Sequence, residues 1–333
     1  MSRRRGLLAL ILIAVPVLAY GAASVVVWDQ LTGVPTQCGG RWAENSPQSF
    51  EVPEDYGLDT GPWSMPAPVE VRIPSRDPGI EIAGWWIPAT TEEGATPAPT
   101  VVVVHGFSAC RHDHAVLLPA GMLHRNGFSV LLIDLRDHGD STREDGRFAG
   151  GTDEYRDVLG AWDWVRTEQG VPPDSIGLLG VSLGAATVLL ATGQEPAVAA
   201  VWEDSSYADL PSAIDAELKR NGYPGFLAFG GVQAARLISG DDLVSYSPSD
   251  AVGRLDGRPL FITHGTADTR LSVDYGHQLE AAVRADGGSV ESWFVDGAEH
   301  VEAMITHVDE YEERLVDFFA GALATPPVPA PSG

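Results

Sequence analysis

Residues 180–184 (GVSLG) carry the clearest chemical signal in the sequence. A serine between two glycines, after an apolar run and before a helical run, is typical of a sharp strand-to-helix turn that exposes the hydroxyl. The apolar run is 176–180 and the helical run is 185–191. A helix amino terminus at that point favours the negative charge that develops when a hydroxyl attacks an acyl carbon. Ser182 is therefore predicted to be a nucleophile; the alternative is a glycine-rich turn with a surface serine.

A serine hydroxyl needs a base to become reactive. His300 lies in the segment DGAEH, directly after the apolar run 293–295, so it should lie at the same sheet edge as Ser182. The other histidines after Ser182 are assigned elsewhere: His264 to loop support, and His277 and His307 to helix surfaces. His300 is the predicted general base, against the alternative of a solvated loop histidine.

The base needs a carboxylate that fixes its tautomer and stabilises the imidazolium. Asp268 follows the apolar run 260–263 and is the preferred candidate. Asp204 is the rival, because it follows the apolar run 197–202 one strand earlier. The order along the chain is then serine, aspartate, histidine.

Two backbone N–H groups must stabilise the oxyanion that forms on the attacked carbonyl. One is assigned to Leu183, directly after the nucleophile, and the other to Phe107, with Ser108 as the alternative. His105 is predicted to hold the Phe107 loop in place without taking part in the chemistry. The supporting residues are His105, Gly106, Gly180 and Gly184.

The elements that must position these side chains follow a strand–turn–helix rhythm. Segments 69–73 and 80–87 alternate apolar and polar residues, as antiparallel strands with one solvated face do. Solid apolar runs, typical of buried parallel strands, follow at 101–104, 130–133, 176–181, 197–202, 260–263 and 293–295. Apolar residues at helical spacing in 155–165 and 311–319 predict helices between and after them. The pattern predicts an α/β fold with a mostly parallel sheet and helices on both faces.

With these motifs the chain resembles the α/β-hydrolase superfamily, nearest to its serine-aminopeptidase-like branch and membrane-anchored bacterial esterase-like relatives. The resemblance covers residues 70–322 and is carried by 105–107 (HGF), 134–141 (DLRDHGDS), 180–184, Asp268 and His300. The branch usually reads D-x-R-G-H-G-x-S, so Asp137 stands where a glycine is expected. The resemblance implies a serine hydrolase that acts on esters, thioesters or small amides and needs no cofactor.

The amino-terminal segment is typical of a membrane anchor. Three arginines, residues 3–5, precede an uncharged run whose apolar part, 7–27, would span about 30 Å as a helix. The arginines place the amino terminus in the cytoplasm and the rest of the chain outside. The alternative is a signal peptide cut near residues 21–23 and a secreted protein.

The predicted organisation is an anchor (1–28), a linker and irregular cover (29–68), a hydrolase domain (69–322) and a proline-rich disordered tail (323–333). A cap insertion at about 205–250 interrupts the domain. Its apolar residues, among them Tyr223, Phe226, Leu227 and Phe229, favour a lipophilic acyl substrate; the alternative is that they pack on the sheet.

Charge and composition exclude several other functions. The formal net charge is −25, from 46 acidic and 21 basic residues, which disfavours nucleic-acid binding. No H-E-x-x-H motif supports a metal site at His105, His112 and His114 with Asp113, so no metal is predicted. Cys38 and Cys110 can form a disulfide in an exported domain or remain free thiols.

Two other functions remain as alternatives. One is a non-catalytic, membrane-tethered binding protein that keeps the fold without the chemistry. The other is a peptidase of the serine-aminopeptidase type. Because every catalytic role has a candidate residue, the sequence favours an enzyme.

Overall fold

The computed structural model describes residues 2–34, 38, 42–90 and 96–324, with side chains from residue 11 onward. Within these ranges the centre of the molecule is one eight-stranded sheet of order β1-β2-β4-β3-β5-β6-β7-β8. The strands are β1 (Val69–Pro74), β2 (Glu81–Ile87), β3 (Thr100–Val104), β4 (Ser129–Ile133), β5 (Ile176–Val181), β6 (Ala200–Asp204), β7 (Leu260–Gly265) and β8 (Val290–Val295). β2 is antiparallel to β1 and β4, and the remaining neighbours are parallel. The predicted mostly parallel sheet is confirmed.

Two strand starts were predicted wrongly. β8 begins at Val290, whereas the apolar run suggested residue 293, because the polar residues Glu291 and Ser292 lie within this edge strand. β6 begins at Ala200, whereas the apolar run suggested residue 197. The amide of Val198 donates to the carbonyl of Glu195 in a turn that returns the chain from the preceding helix. The small apolar residues 197–199 are therefore used in this connection and not in the strand.

Helices cover both faces of the sheet, as predicted. They are α1 (Ser2–Thr32), α2 (His114–Arg125), α3 (Tyr155–Glu168), α4 (Leu183–Gln194), α5 (Leu210–Arg220), α6 (Leu227–Ile238), α7 (Pro248–Val252), α8 (Asp274–Ala285), α9 (Ala303–Thr306) and α10 (Val308–Ala322). Alternate residues of β3 supply two cores: Val102 and Val104 pack with α3 and α4, whereas Val101 and Val103 pack with α2 and α10. Burial of strand side chains on both faces explains the solid apolar runs.

The segment before β1 is a packed cover. It contains two 3₁₀ turns, Glu54–Tyr56 and Gly61–Trp63, and it buries Phe50 and Trp63 against the face formed by α2 and α10. The Trp63 indole donates a hydrogen bond of 2.9 Å to Glu312 of α10. A disulfide, which the sequence left open, joins Cys38 to Cys110 with a Cα–Cα distance of 5.6 Å.

Helix α1 continues beyond the predicted anchor and enters the domain. Its segment Ile11–Thr32 is long and apolar enough to cross a membrane by length and composition. Val27 and Trp28 are nevertheless buried in the core shared with α3 and α4, so the predicted boundary at residue 28 falls inside a packed helix. Of the predicted tail, residues 325–333 lie outside the described part of the chain.

The predicted cap region, 205–250, contains α5, α6 and the start of α7. Leu227 is buried, whereas Phe226 and Phe229 are 67% and 69% exposed. Because their rings are exposed, Phe226 and Phe229 do not pack on the sheet, and the predicted lipophilic substrate stays a prediction. Helix α6 packs instead along α1.

Candidate active site

Ser182 lies at the turn between β5 and α4. Its φ is +55° and its ψ is −117°, a conformation in which L-residues are strained. A Cβ on Gly180 would lie 2.2 Å from the carbonyl oxygen of Gly184, and one on Gly184 would lie 2.3 Å from that of Val104. Both glycines are therefore required for the helix to fold back so closely on the strand ends.

His300 and Asp268 meet Ser182 at this edge. The Ser182 Oγ and His300 Nε2 are 2.9 Å apart, and His300 Nδ1 lies 2.7 Å from Asp268 Oδ2. Asp268 lies in the loop after β7 and His300 in the loop after β8. The carboxyl ends of parallel strands thus bring together three side chains that are far apart in sequence.

The surroundings of Asp268 stabilise its ionised form. Burial alone would raise the pKa of Asp268, but hydrogen bonds with His264 and His300 and the charge of His300 hold it well below its usual range. Its Oδ1 also accepts the N–H groups of Arg270 and Leu271, each at 2.8 Å. A carboxylate so held can fix the Nδ1–H tautomer of His300.

Asp204, the rival acid, is engaged elsewhere. It is fully buried, and its carboxylate accepts hydrogen bonds from Ser205 at 2.8 Å and from Tyr311 at 3.0 Å. Burial raises the pKa of Asp204. Its backbone carbonyl accepts the Ser182 N–H at 2.8 Å, so Asp204 helps to hold the backbone of Ser182 in place.

The two predicted oxyanion donors lie beside the nucleophile. Leu183 is the first residue of α4, where backbone N–H groups have no partner within the helix. Phe107 and Leu183 line the same cavity as Ser182. A Cβ on Gly106 would lie 3.3 Å from the Ser182 Cβ, so the Phe107 loop passes directly over the hydroxyl.

His105 links this loop to β4. Its ring is buried, its Nδ1 donates to the carbonyl of Gly106 at 2.8 Å, and its Nε2 accepts the N–H of Leu135 at 3.1 Å. Burial lowers the pKa of His105 to about 4, which keeps the ring neutral at physiological pH. These contacts agree with a supporting role.

Asp137 occupies the position where the resembled branch has glycine. Its φ is +62°, a left-handed conformation that aspartate tolerates better than most residues. Its Oδ1 accepts the N–H groups of Glu144 and Gly146 at 2.9 and 2.7 Å. The substitution therefore keeps the turn and ties down the following loop.

The other candidate histidines do not contact Ser182, although His114 lines the same cavity. His277 and His307 are exposed. His112 Nδ1 donates to the backbone of Asn45 at 2.6 Å, and His114 Nδ1 lies 3.0 Å from Asp113. Across the described residues, no three His, Cys, Asp or Glu side chains form a group that could hold a metal ion.

The sequence-based analysis missed two residues near the site. The Nε2 of His264 is 3.3 Å from Asp268 Oδ2, so this histidine supports the acid as well as its loop. Arg270 lines both cavities next to Ser182. Its place two residues after Asp268, in a strand-end loop, was the available signal.

Two cavities flank Ser182, and both are also lined by Phe107 and Arg270. The cap cavity has a volume of about 660 Å³ and a mainly apolar wall that includes Leu31, Phe148, Leu210, Ile214 and Leu271. The loop cavity, about 750 Å³, contains the polar side chains of Tyr56, Asp113, His114, His300 and Glu302. The hydroxyl therefore lies between two cavities, and the loop cavity has more polar side chains in its wall than the cap cavity.

Comparison with known protein families shows to which family the chain belongs. The prolyl oligopeptidase family (Peptidase_S9) matches residues 118–325, more than half of the chain. The chain belongs to the prolyl oligopeptidase family. This assignment confirms the predicted superfamily, whereas the motifs alone had pointed to the serine-aminopeptidase-like branch within it.

Several individual proteins are similar to this chain over most of its length. The uncharacterized protein YfhR of Escherichia coli K12 is 26% identical over 279 residues, 82% of this chain and 87% of its own. The Pyrococcus furiosus esterase Pf2001 superposes with a TM-score of 0.64 at 20% identity, covering 88% of this chain and 99% of that one. A Mycobacterium tuberculosis puromycin-hydrolyzing peptidase gives 0.65 at 20% identity, covering 80% of this chain and 40% of that one. These likenesses confirm the α/β-hydrolase fold.

Proposed function

We propose that the protein is a serine hydrolase that cleaves carboxylic esters through an acyl-enzyme on Ser182. The observation that carries the proposal is the continuous chain of contacts from Ser182 Oγ to His300 Nε2 and from His300 Nδ1 to Asp268. The family match and the esterase and peptidase folds that resemble this chain support the general class. Thioesters and small amides belong to the same acyl-transfer chemistry.

In the proposed mechanism, His300 Nε2 takes the Ser182 proton as Oγ bonds to the substrate's carbonyl carbon. The carbonyl π electrons move to oxygen, where the N–H groups of Phe107 and Leu183 hold the negative charge. When the intermediate collapses, His300 gives the proton to the departing alkoxide. Water then attacks the acyl-enzyme in the same way: His300 takes a proton from the water and returns it to the Ser182 oxygen, and the carboxylic acid is released. Asp268 stays ionised throughout and holds the His300 Nδ1–H.

The cap cavity favours an apolar acyl group. Its wall is formed by aliphatic and aromatic side chains on α1, α5 and the loops after β3 and β7. Burial of each methylene in such a wall stabilises binding by about 0.8 kcal/mol. Longer acyl chains should therefore raise kcat/KM until the cavity is filled.

Peptide hydrolysis is the second candidate, and the family match favours it. The loop cavity adds an observation of its own, since the carboxylates of Asp113 and Glu302 in its wall suit a substrate with an amino group. A purely binding role is disfavoured, because that role requires no hydrogen bond from a strained serine to a histidine that contacts an aspartate.

We further propose that α1 is an uncleaved, single-pass anchor with its amino terminus in the cytoplasm. The apolar length of α1 supports this placement. Cleavage near residues 21–23 would cut a helix whose next turns, with Val27 and Trp28, belong to the core. The intact mass of the membrane-extracted protein tests it: the full-chain mass is expected, and a chain that begins near residue 24 would contradict the anchor.

The substrate class is tested with p-nitrophenyl esters of increasing acyl length beside a panel of aminopeptidase substrates. We expect ester hydrolysis that rises with chain length, and its loss in Ser182→Ala with thermal unfolding nearly unchanged. Turnover of the peptide panel alone would favour the second candidate. Equal ester hydrolysis by wild type and Ser182→Ala would overturn the nucleophile assignment.

A further inference from the structure

The cap carries an exposed apolar end that the proposed chemistry does not use. We call residues 221–229, the turn between α5 and α6 with the first turn of α6, the cap tip. Tyr223, Phe226 and Phe229 are 38%, 67% and 69% exposed. Burial of one such ring would stabilise a complex by about 1.5–3 kcal/mol, so the exposed rings favour contact with an apolar phase.

The cap tip is fixed against α1 at a defined height. The Tyr20 hydroxyl donates to the carbonyl of Phe226 at 3.1 Å, and the two rings stack with centroids 6.0 Å apart. One turn later, a Cβ on Gly230 would lie 2.0 Å from the Ser24 Oγ. Residue numbers rise together along both helices, so α6 runs parallel to α1 with the tip level with Tyr20.

That height lies within the predicted membrane span. The α-helical distance from Arg5 to Tyr20 is about 22 Å, which is shorter than the hydrocarbon thickness of about 30 Å. The bilayer must therefore extend along α1 past Tyr20, where Val25 and Val26 are also exposed. An element packed on α1 at Tyr20 then lies in the outer leaflet.

Basic side chains border the tip. Lys219, the single lysine of the sequence, and Arg220 end α5 directly before the turn. Both are about half exposed or more and have long apolar stems, and each forms an ion pair within α5, Lys219 with Asp215 and Arg220 with Glu217. To contact lipid phosphates, they would exchange these carboxylates for phosphate at the interface.

Two adjoining cavities lie between the tip and Ser182. A cavity that begins at Asn221 and Tyr223 is also lined by Gln30, Leu31 and Glu217. The same three residues line the cap cavity that ends at Ser182. The two cavities therefore adjoin along α1.

We propose that the cap tip inserts into the outer leaflet and that ester lipids reach Ser182 from the bilayer along α1. The loading step rests on the proposed esterase function, whereas the insertion itself does not. The occupant of the apolar tip is the lipid bilayer, because the tip continues the exposed surface of the predicted span.

Depth-dependent quenching tests the insertion without any activity. Both native cysteines are paired, so a cysteine placed at Phe226 can be labelled alone with an NBD dye in the full chain. The protein is reconstituted in phosphatidylcholine vesicles that contain lipids spin-labelled midway along the acyl chain. We expect strong quenching at Phe226→Cys and at Leu18→Cys in the span, weaker quenching at Leu237→Cys farther along α6, and none at Glu313→Cys. Quenching at Leu18→Cys without quenching at Phe226→Cys would overturn the proposal.

The loading step is tested by comparing Phe226→Asp/Phe229→Asp with Leu237→Asp, a position near the far end of α6 that is 83% exposed. The tip variant should hydrolyse a vesicle-borne long-chain ester about tenfold more slowly, whereas soluble p-nitrophenyl acetate should be unaffected in both variants. Equal rates on the vesicle-borne ester would overturn loading through the tip. A wild type that is inactive on both esters would instead contradict the proposed function, and the quenching result would still decide the insertion.

Discussion

The group of Ser182, His300 and Asp268, here called the Ser182 centre, and the cap tip differ in how far their side chains are buried. At the centre, the Asp268 side chain is fully buried and contacts two backbone amides and two histidines. At the tip, Phe226 and Phe229 expose two thirds of their surface. The difference shows that contacts within the chain fix the side chains around Ser182. The cap tip, in contrast, presents its side chains to a partner outside the chain. Changes at the centre should affect every substrate, and changes at the tip only those delivered by a bilayer.

The largest effect separates the two acids at the centre. Asp268→Asn should lower kcat/KM for p-nitrophenyl butyrate about 10³–10⁴-fold, because an amide no longer fixes the tautomer of His300. Asp204→Asn should cost less than about tenfold, since Asp204 contacts Ser205 and Tyr311 and not the base. The reverse ranking would transfer the acid's role to Asp204.

Two glycines allow a matched test of the two regions. Gly184→Ala places a Cβ against the carbonyl of Val104, so we expect a loss of about 1–3 kcal/mol in unfolding free energy and most of the activity. The atoms nearest to a Cβ at Gly230→Ala are in the Ser24 and Tyr20 side chains of α1, and hydrolysis of soluble esters should persist. Denaturant titration with the butyrate assay measures both. If Gly230→Ala inactivates the enzyme on soluble esters, the proposed independence of the two regions is wrong.

Removing the disulfide tests how much the stability of the domain depends on the packed segment before β1. Cys38–Cys110 closes a separation of 72 residues and attaches the segment before β1 to the loop that contains Phe107. Replacing both cysteines with serine should lower the unfolding free energy by about 2–4 kcal/mol. An increase in intact mass on reduction identifies the bond in the wild type. A double variant as stable as the wild type would show that the cover holds without it.

The smallest effect concerns a buried acid beneath the centre. Burial raises the pKa of Glu203 to about 8, so the folded chain keeps a proton that the unfolded chain loses above about pH 4.3. Unfolding free energy should therefore fall as pH rises from 5 to 8. Glu203→Gln keeps an acceptor for the Ser206 N–H and should flatten this decline by at least about 1 kcal/mol. Denaturant titrations at the two pH values measure it, and parallel declines in both proteins would contradict the assignment.

The meeting of the three proposed catalytic side chains could be predicted because all three follow strand ends. Ser182, Asp268 and His300 each follow a solid apolar run, and such runs become parallel strands whose ends meet at one edge. The spacing of Gly180 and Gly184 added the turn between β5 and α4. The contact of His264 with Asp268 could not be predicted, because it depends on the conformation of the loop after β7.

The cap and the end of α1 could not be predicted in the same way. Apolar composition does not distinguish a side chain that is buried, as Leu227 is, from one that faces outward, as Phe229 does. Likewise, the whole apolar run that ends at Val27 predicts a membrane-spanning helix, although the last turns of α1 pack in the core. Which face of a short apolar helix is covered depends on tertiary partners, here α1 for α6, that periodicity does not identify.

The most direct test of the central claim is labelling with a fluorophosphonate probe, which bonds covalently to an activated serine. The folded full-length protein should gain one probe mass, and peptide mapping should place it on Ser182. Ser182→Ala should remain unlabelled, and His300→Ala should label far more slowly at unchanged thermal stability. A folded wild type that resists the probe, or one labelled equally after Ser182→Ala, would contradict the account.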